Sequence, residues 1–144
     1  MSANKNHCED LGVAIGSPFL KTHEDWMAVA WAQSQIGGNP QRALDAAIAA
    51  RSLGAAPTAV NFRIGMLLFG LGDFDGAQHA FGLAAEQAEP QSYHFDAAGL
   101  ARAEALAKLG EKEQALAALS SVKENAGLWM GRLLSASQLR GELA

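Results

Sequence analysis

The sequence predicts an all-α chain, an α-solenoid of three stacked helical hairpins closed by a C-terminal capping helix. Three observations predict it. Glycines recur between apolar helical stretches: 34 residues separate Gly38 from Gly72, and 38 separate Gly72 from Gly110. Ala43, Ala77 and Ala115 each follow five residues later, so the period carries a small residue as well as a turn. The 144 residues are 49% hydrophobic, and much of that is alanine, the best helix former, while strand-favouring Val, Ile, Thr and Tyr are sparse. A two-helix unit cannot bury its apolar face alone, so such units stack.

Each element has its own local signal. Residues 1–21 stand outside the repeats; a frayed tail is expected to about position 9, and the 11–20 stretch has enough apolar residues to dock. Thr22-x-x-Asp25 forms a capping-box pattern and starts a helix over 22–36. Gly37-Gly38-Asn39-Pro40 breaks it, with Asn39 as the next cap and Pro40 in the first turn. That second helix runs to about position 53 and stops at Gly54. Thr58 is expected to cap the third helix, which is apolar nearly all round and so belongs at the centre of the stack. Gly70 and Gly72 end it, and Asp73 caps the fourth, which Pro90 closes near position 88. Ser92 caps a fifth helix to about 109. A sixth is expected over 112–124. The last, over 128–143, carries Trp129, Leu133 and Leu134 on one side.

These units, at 24–57, 58–91 and 96–129, resemble tetratricopeptide repeats. The resemblance is best in the middle one. Gly65 stands at the close-contact site, Gly72 at the turn, Ala77 and Ala84 at small sites, and Phe81 at the wedge between repeats. The third unit keeps Ala103, Gly110, Ala115, Leu119 and Val122. The first keeps Gly38, Ala43, Ala47 and Ala50 but has Trp31 where Gly65 and Ala103 stand, which implies a differently packed opening repeat. The family's proline near the end of each unit is displaced, to Pro57 and Pro90. Four extra residues before the third unit are close to one helical turn and are expected to lengthen the fifth helix while keeping its buried stripe aimed the same way. The alternative is an irregular helical bundle with accidental glycine spacing.

The resemblance implies non-catalytic protein binding in a concave groove lined by the first helix of each unit. By register the lining is Asp25, Ala28, Ala32 and Gln35; then Phe62, Arg63, Met66 and Phe69; then Leu100, Glu104, Ala107 and Lys108. An apolar strip with a charged rim suits an extended or helical peptide. The competing reading makes Phe62, Met66 and Phe69 plain core. Ala28 and Ala32 stand where repeats that grip heat-shock carboxylates carry Lys and Asn, so that partner class is not expected. The chain is also similar, over Glu89-Pro90, Phe95-Asp96-Ala97-Ala98 and Leu109-Gly110, to chaperones of type III secretion translocators. That similarity implies an aggregation-prone secreted client held by a small chaperone or assembly adaptor. The alternative role is a constitutive structural subunit or a homodimer, built through residues 1–21 and the Trp129 segment.

Other functions lack residues. A net charge of −4 and the absence of a Lys/Arg run argue against nucleic acid. The apolar run at 64–71 is too short to span a bilayer, and the first ten residues lack a signal-peptide core, so a cytoplasmic location is the default. Cys8 is the single cysteine, excluding an intramolecular disulfide, and Glu9 and Asp10 beside it would raise its thiol pKa. His7, His23, His79 and His94 are scattered without metal spacing. His79 and Glu86 can share a helix face, which is better explained as solvated surface. No phosphate loop is present. The expectation is therefore no enzyme, no cofactor and no metal.

Overall fold

The structure, a computed structural model, describes residues 22–35 and 37–144. In these the chain forms α1 (His23–Gln33), α2 (Pro40–Ser52), α3 (Pro57–Gly70), α4 (Phe74–Gln87), α5 (Tyr93–Lys108) and α6 (Lys112–Leu119). Two short strands, β1 (Gly127–Trp129) and β2 (Leu133–Ser135), and a final helix α7 (Ala136–Leu143) follow. The expectations for residues 1–21, Cys8 included, lie outside the described residues.

Side-chain caps set most helix starts. Thr22 and Asp25 close a reciprocal capping box at 3.2 Å each way. Asn39 Oδ1 accepts from the Gln41 and Arg42 amides, Asp73 Oδ1 from Gly76, and Ser92 Oγ from Phe95. The third helix departs from expectation. Pro57 occupies its first turn behind Ala56, so Thr58 lies inside the helix and caps nothing. Proline's fixed φ suits the first helical position, and its missing amide would have been unpaired there anyway, so the helix starts at Pro57.

The helix ends explain the glycine period. At Gly72 (φ +85°) and Gly110 (φ +78°) the chain turns left-handed, and the next residue donates back across the turn: Asp73 N to Leu68 O, Glu111 N to Leu106 O, both 2.9 Å. In the first unit the left-handed residue is Gly37 rather than Gly38. There α1 stops at Gln33, although α1 and α3 start 34 residues apart, as do α2 and α4. The four extra residues are not one added turn in α5. α5 has 16 residues against 14 in α3, and α4 has 14 against 13 in α2; the last one lies in the 88–92 connection.

Each helix through α6 packs chiefly on its neighbour in sequence. Small residues let them approach. A Cβ on Gly65 of α3 would lie 2.5 Å from the ring of Phe81 in α4, and one on Gly99 of α5 would lie 2.7 Å from Val122. Ala43, Ala47 and Ala50 of α2, Ala77 and Ala84 of α4, and Ala103 and Ala115 are all fully buried. Trp26, Ala30, Val60 and Ile64 join α2 in one cluster, and Phe81 centres a second. Leu100, Leu119, Leu134 and Leu139 form a third at the C-terminal end.

The expected capping helix over 128–143 is replaced by an antiparallel hairpin and an eight-residue helix. β1 and β2 pair Leu128 with Leu134 and Trp129 with Leu133, leaving Met130, Gly131 and Arg132 as a three-residue loop. Gly131 takes φ +78°, which a helix through this region would forbid. α6 also ends early, at Leu119 instead of 124. Ser120 Oγ donates back to Ala117 O at 2.7 Å, and Arg140 of α7 donates to the freed carbonyls of Leu119 and Val122 while pairing with Glu124.

Candidate interaction face

The face i, i+3, i+4, i+7 on the first helix of each pair comprises Ala28, Trp31 and Ala32 in α1, with Gln35 just past its end. In α3 it comprises Phe62, Gly65, Met66 and Phe69, and in α5 Leu100, Ala103, Glu104 and Ala107. Its exposure falls steadily along the chain. All four of this first set are exposed, with Trp31 at 57%. In α3, Phe62, Met66 and Phe69 are half-buried. In α5, Leu100 and Ala103 are fully buried and Glu104 is 2% exposed.

The expected lining residues therefore separate. Phe62, Met66 and Phe69 stand together on the cluster around Phe81. The Phe62 and Phe81 rings lie 5.5 Å apart, and Phe69 meets Phe74 edge-on at 5.1 Å. Arg63, half-buried beside them, has no ion pair among the described residues. Leu100 does not line a groove; it is core, packed with Leu119, Leu134 and Leu139. Asp25 is occupied by the α1 capping box. Lys108 remains exposed.

The cover over α5 is the hairpin. Met130, from its loop, is buried in the cluster with Ala77, Phe81, Ala101 and Ala105, the same cluster on which Phe62, Met66 and Phe69 pack. Two residues on, Arg132 donates through Nε and Nη2 to Glu104 at 3.1 and 3.3 Å, and through Nη1 and Nη2 to Glu142 of α7 at 2.8 and 2.6 Å. This bidentate arrangement supplies Glu104 with the cation that a buried carboxylate requires. Hydrogen bonds from Arg132, then Gln138, hold the Glu142 carboxyl down at about 2. The bonds to Glu142 and then Glu104 raise the Arg132 guanidinium above its already high value. A cleft of about 420 Å³ opens beside this network, lined also by Ala107, Lys108, Leu139 and Leu143.

Met130, Arg132 and Glu142 were not legible as site residues in the sequence. The available signal was Gly131 between two short apolar runs, a hairpin pattern that a helical reading of 128–143 overrides. The outward side of the hairpin is unusual too. Trp129 and Leu133 face each other across the strands and are 65% and 75% exposed.

At the other end of α5, Asp96 is buried and its Oδ2 lies 3.4 Å from Lys123 Nζ, which also donates to Gln91 O. This pair ties the start of α5 to the segment before β1. His79 and His94 are exposed on α4 and α5, and among the described residues no three His, Cys, Asp or Glu side chains are placed to hold a metal ion. No helix among them is long and apolar enough to cross a membrane. No family model, no curated protein and no solved structure matches this chain.

Proposed function

We propose that the chain is a non-catalytic protein-binding module of the tetratricopeptide-repeat type, acting as a small chaperone or assembly adaptor. Its partner segment lies along the α1–α3 half of the inner face. The observation that carries this reading is the gradient of exposure: Trp31 is exposed and Phe62 and Met66 are half-buried where the corresponding α5 residues, Ala103, Leu100 and Glu104, are covered. Three features support the repeat assignment: helix starts 34 residues apart, left-handed turns at Gly72 and Gly110, and the Gly65–Phe81 approach. Each large apolar partner side chain buried there contributes roughly 1.5–3 kcal/mol, so two or three anchors reach micromolar affinity after ordering costs. The narrower reading, a cytoplasmic chaperone for an aggregation-prone secreted client, fits an apolar face with methionine at its middle.

The test uses Trp31→Ala and Trp31→Gln, neither of which removes a buried side chain. Both are expected to weaken partner capture by the full chain while leaving its melting cooperative. Undiminished capture by both variants refutes the site. A second reading, self-association, is favoured by the exposed Trp129–Leu133 pair. Sedimentation of the parent and of Trp129→Ser/Leu133→Ser separates the two: a parent dimer that dissociates in the variant supports assembly through the hairpin.

A further inference from the structure

We propose that the hairpin loop Met130–Arg132 is a built-in ligand of the α3–α5 part of the inner face. It occupies the place of a partner segment with the same chemistry: an apolar anchor followed two residues later by arginine. The proposal rests on the protein-binding reading above and names its regulation and its partner class.

The chain itself displays what this crevice accepts. Met130 is 4% exposed and lies in the cluster shared with Phe81, Ala101 and Ala105, with Phe62, Met66 and Phe69 packed on it. An unbranched thioether adapts to an irregular apolar surface and can be exchanged for another apolar side chain with little strain. Arg132 answers Glu104, whose side chain is 3% exposed and whose hydrogen bonds among the described residues come from Arg132. When the loop withdraws, the buried Glu104 carboxylate loses both hydrogen bonds and its guanidinium partner. A neutral or acidic segment cannot take over; one carrying a guanidinium can, because it restores the two-toothed bond. Charge complementarity thus selects a basic-apolar segment, in keeping with a net charge of −4.

Withdrawing the loop breaks the Arg132 bonds to Glu142 of α7 but not the apolar anchorage of the C-terminal region. Leu134 and Leu139 anchor β2 and α7 in the other cluster, on Leu100 and Leu119. Release of three loop residues leaves that anchorage in place. Gly131, at φ +78° and with nothing within 4 Å of where a Cβ would stand, provides the pivot.

The probe is a capped nonapeptide with the sequence of residues 127–135, and a second peptide in which Arg132 is replaced by glutamate. Binding by isothermal titration is compared for the full-length parent, for Met130→Ser/Arg132→Gln, and for a chain with Gly-Ser-Gly inserted after Gly131. The emptied variant is expected to bind the first peptide at least tenfold more tightly than the parent, with the lengthened loop in between. The glutamate peptide should bind none of them. Equal affinity for parent and emptied chain overturns the proposal, because then the loop excludes nothing. So does a cooperatively melting emptied chain that does not bind. If the emptied chain fails to fold, the lengthened one decides: affinity no tighter than the parent's overturns the idea. Partner capture that is lost in Trp31→Ala but identical in all loop variants removes the gate and leaves the binding module standing.

Discussion

Replacing Gly65 with alanine tests the helix crossing on which the middle of the stack depends. The added methyl would lie 2.5, 2.6 and 3.0 Å from three ring atoms of Phe81, a fully buried side chain. Those separations are well inside van der Waals contact, so the ring or the α3–α4 spacing must move. Overpacking of this kind costs about 1–3 kcal/mol. Alanine returns up to about 1 kcal/mol of helix propensity inside α3. With the propensity gain taken in full, the net expectation is a loss of up to about 2 kcal/mol, measured by urea unfolding with an unchanged m-value. At this chain length that lowers the melting temperature by roughly 2–4 °C per kcal/mol. Gly70→Ala is the control, since a Cβ there meets nothing within 4 Å and α3 ends at that residue. It should be neutral or slightly stabilising. Phe81→Leu in the Gly65→Ala background should recover part of the loss, giving a coupling of about 0.5–3 kcal/mol in a double-mutant cycle. A Gly65→Ala chain as stable as its parent and uncoupled from Phe81→Leu refutes the close approach of α3 and α4.

Three further outcomes follow from the structure. Arg132→Ala leaves Glu104 buried without its cation and is expected to lower stability by about 2–4 kcal/mol in denaturant titration; Glu104→Gln/Arg132→Met should lose less than Arg132→Ala alone. Because Glu142 is held at about 2, below its ordinary 4.5, its contribution is fully present above pH 4.5 and fades as pH falls toward 2. Thermal melts across that window should show an acid slope that Glu142→Gln flattens, and an unchanged slope rules out the Arg132 bond as its cause. Gly110→Ala forces a side chain into φ +78° and should cost about 1 kcal/mol in the same assay, whereas Trp129→Ser, at an exposed strand position, should change stability by under about 0.5 kcal/mol.

What the sequence determined by itself is local. Thr22, Asn39, Asp73 and Ser92 begin helices because a short polar side chain can satisfy orphan amides within three residues. Gly72 and Gly110 end them because only glycine enters the left-handed region without a penalty. The small residues Gly65, Ala77, Ala103 and Ala115 announce close crossings by their size alone. Tertiary structure decided everything that depends on which face another segment covers. Leu100 and Phe62 stand at corresponding positions with similar apolarity, yet one is core and the other half-open, because Leu119, Leu134 and Leu139 from α6, β2 and α7 pack around Leu100, whereas Phe62 packs against the outside of the Phe81 cluster. Residues 128–134 suit either helix or strand by composition. The strand form prevails where Met130 and Arg132 can reach Phe81's cluster and Glu104, both distant in sequence. A carboxylate such as Glu104 reads as surface until the fold brings an arginine 28 positions away to within 3.1 Å of it. Nothing in a local pattern encodes that distance.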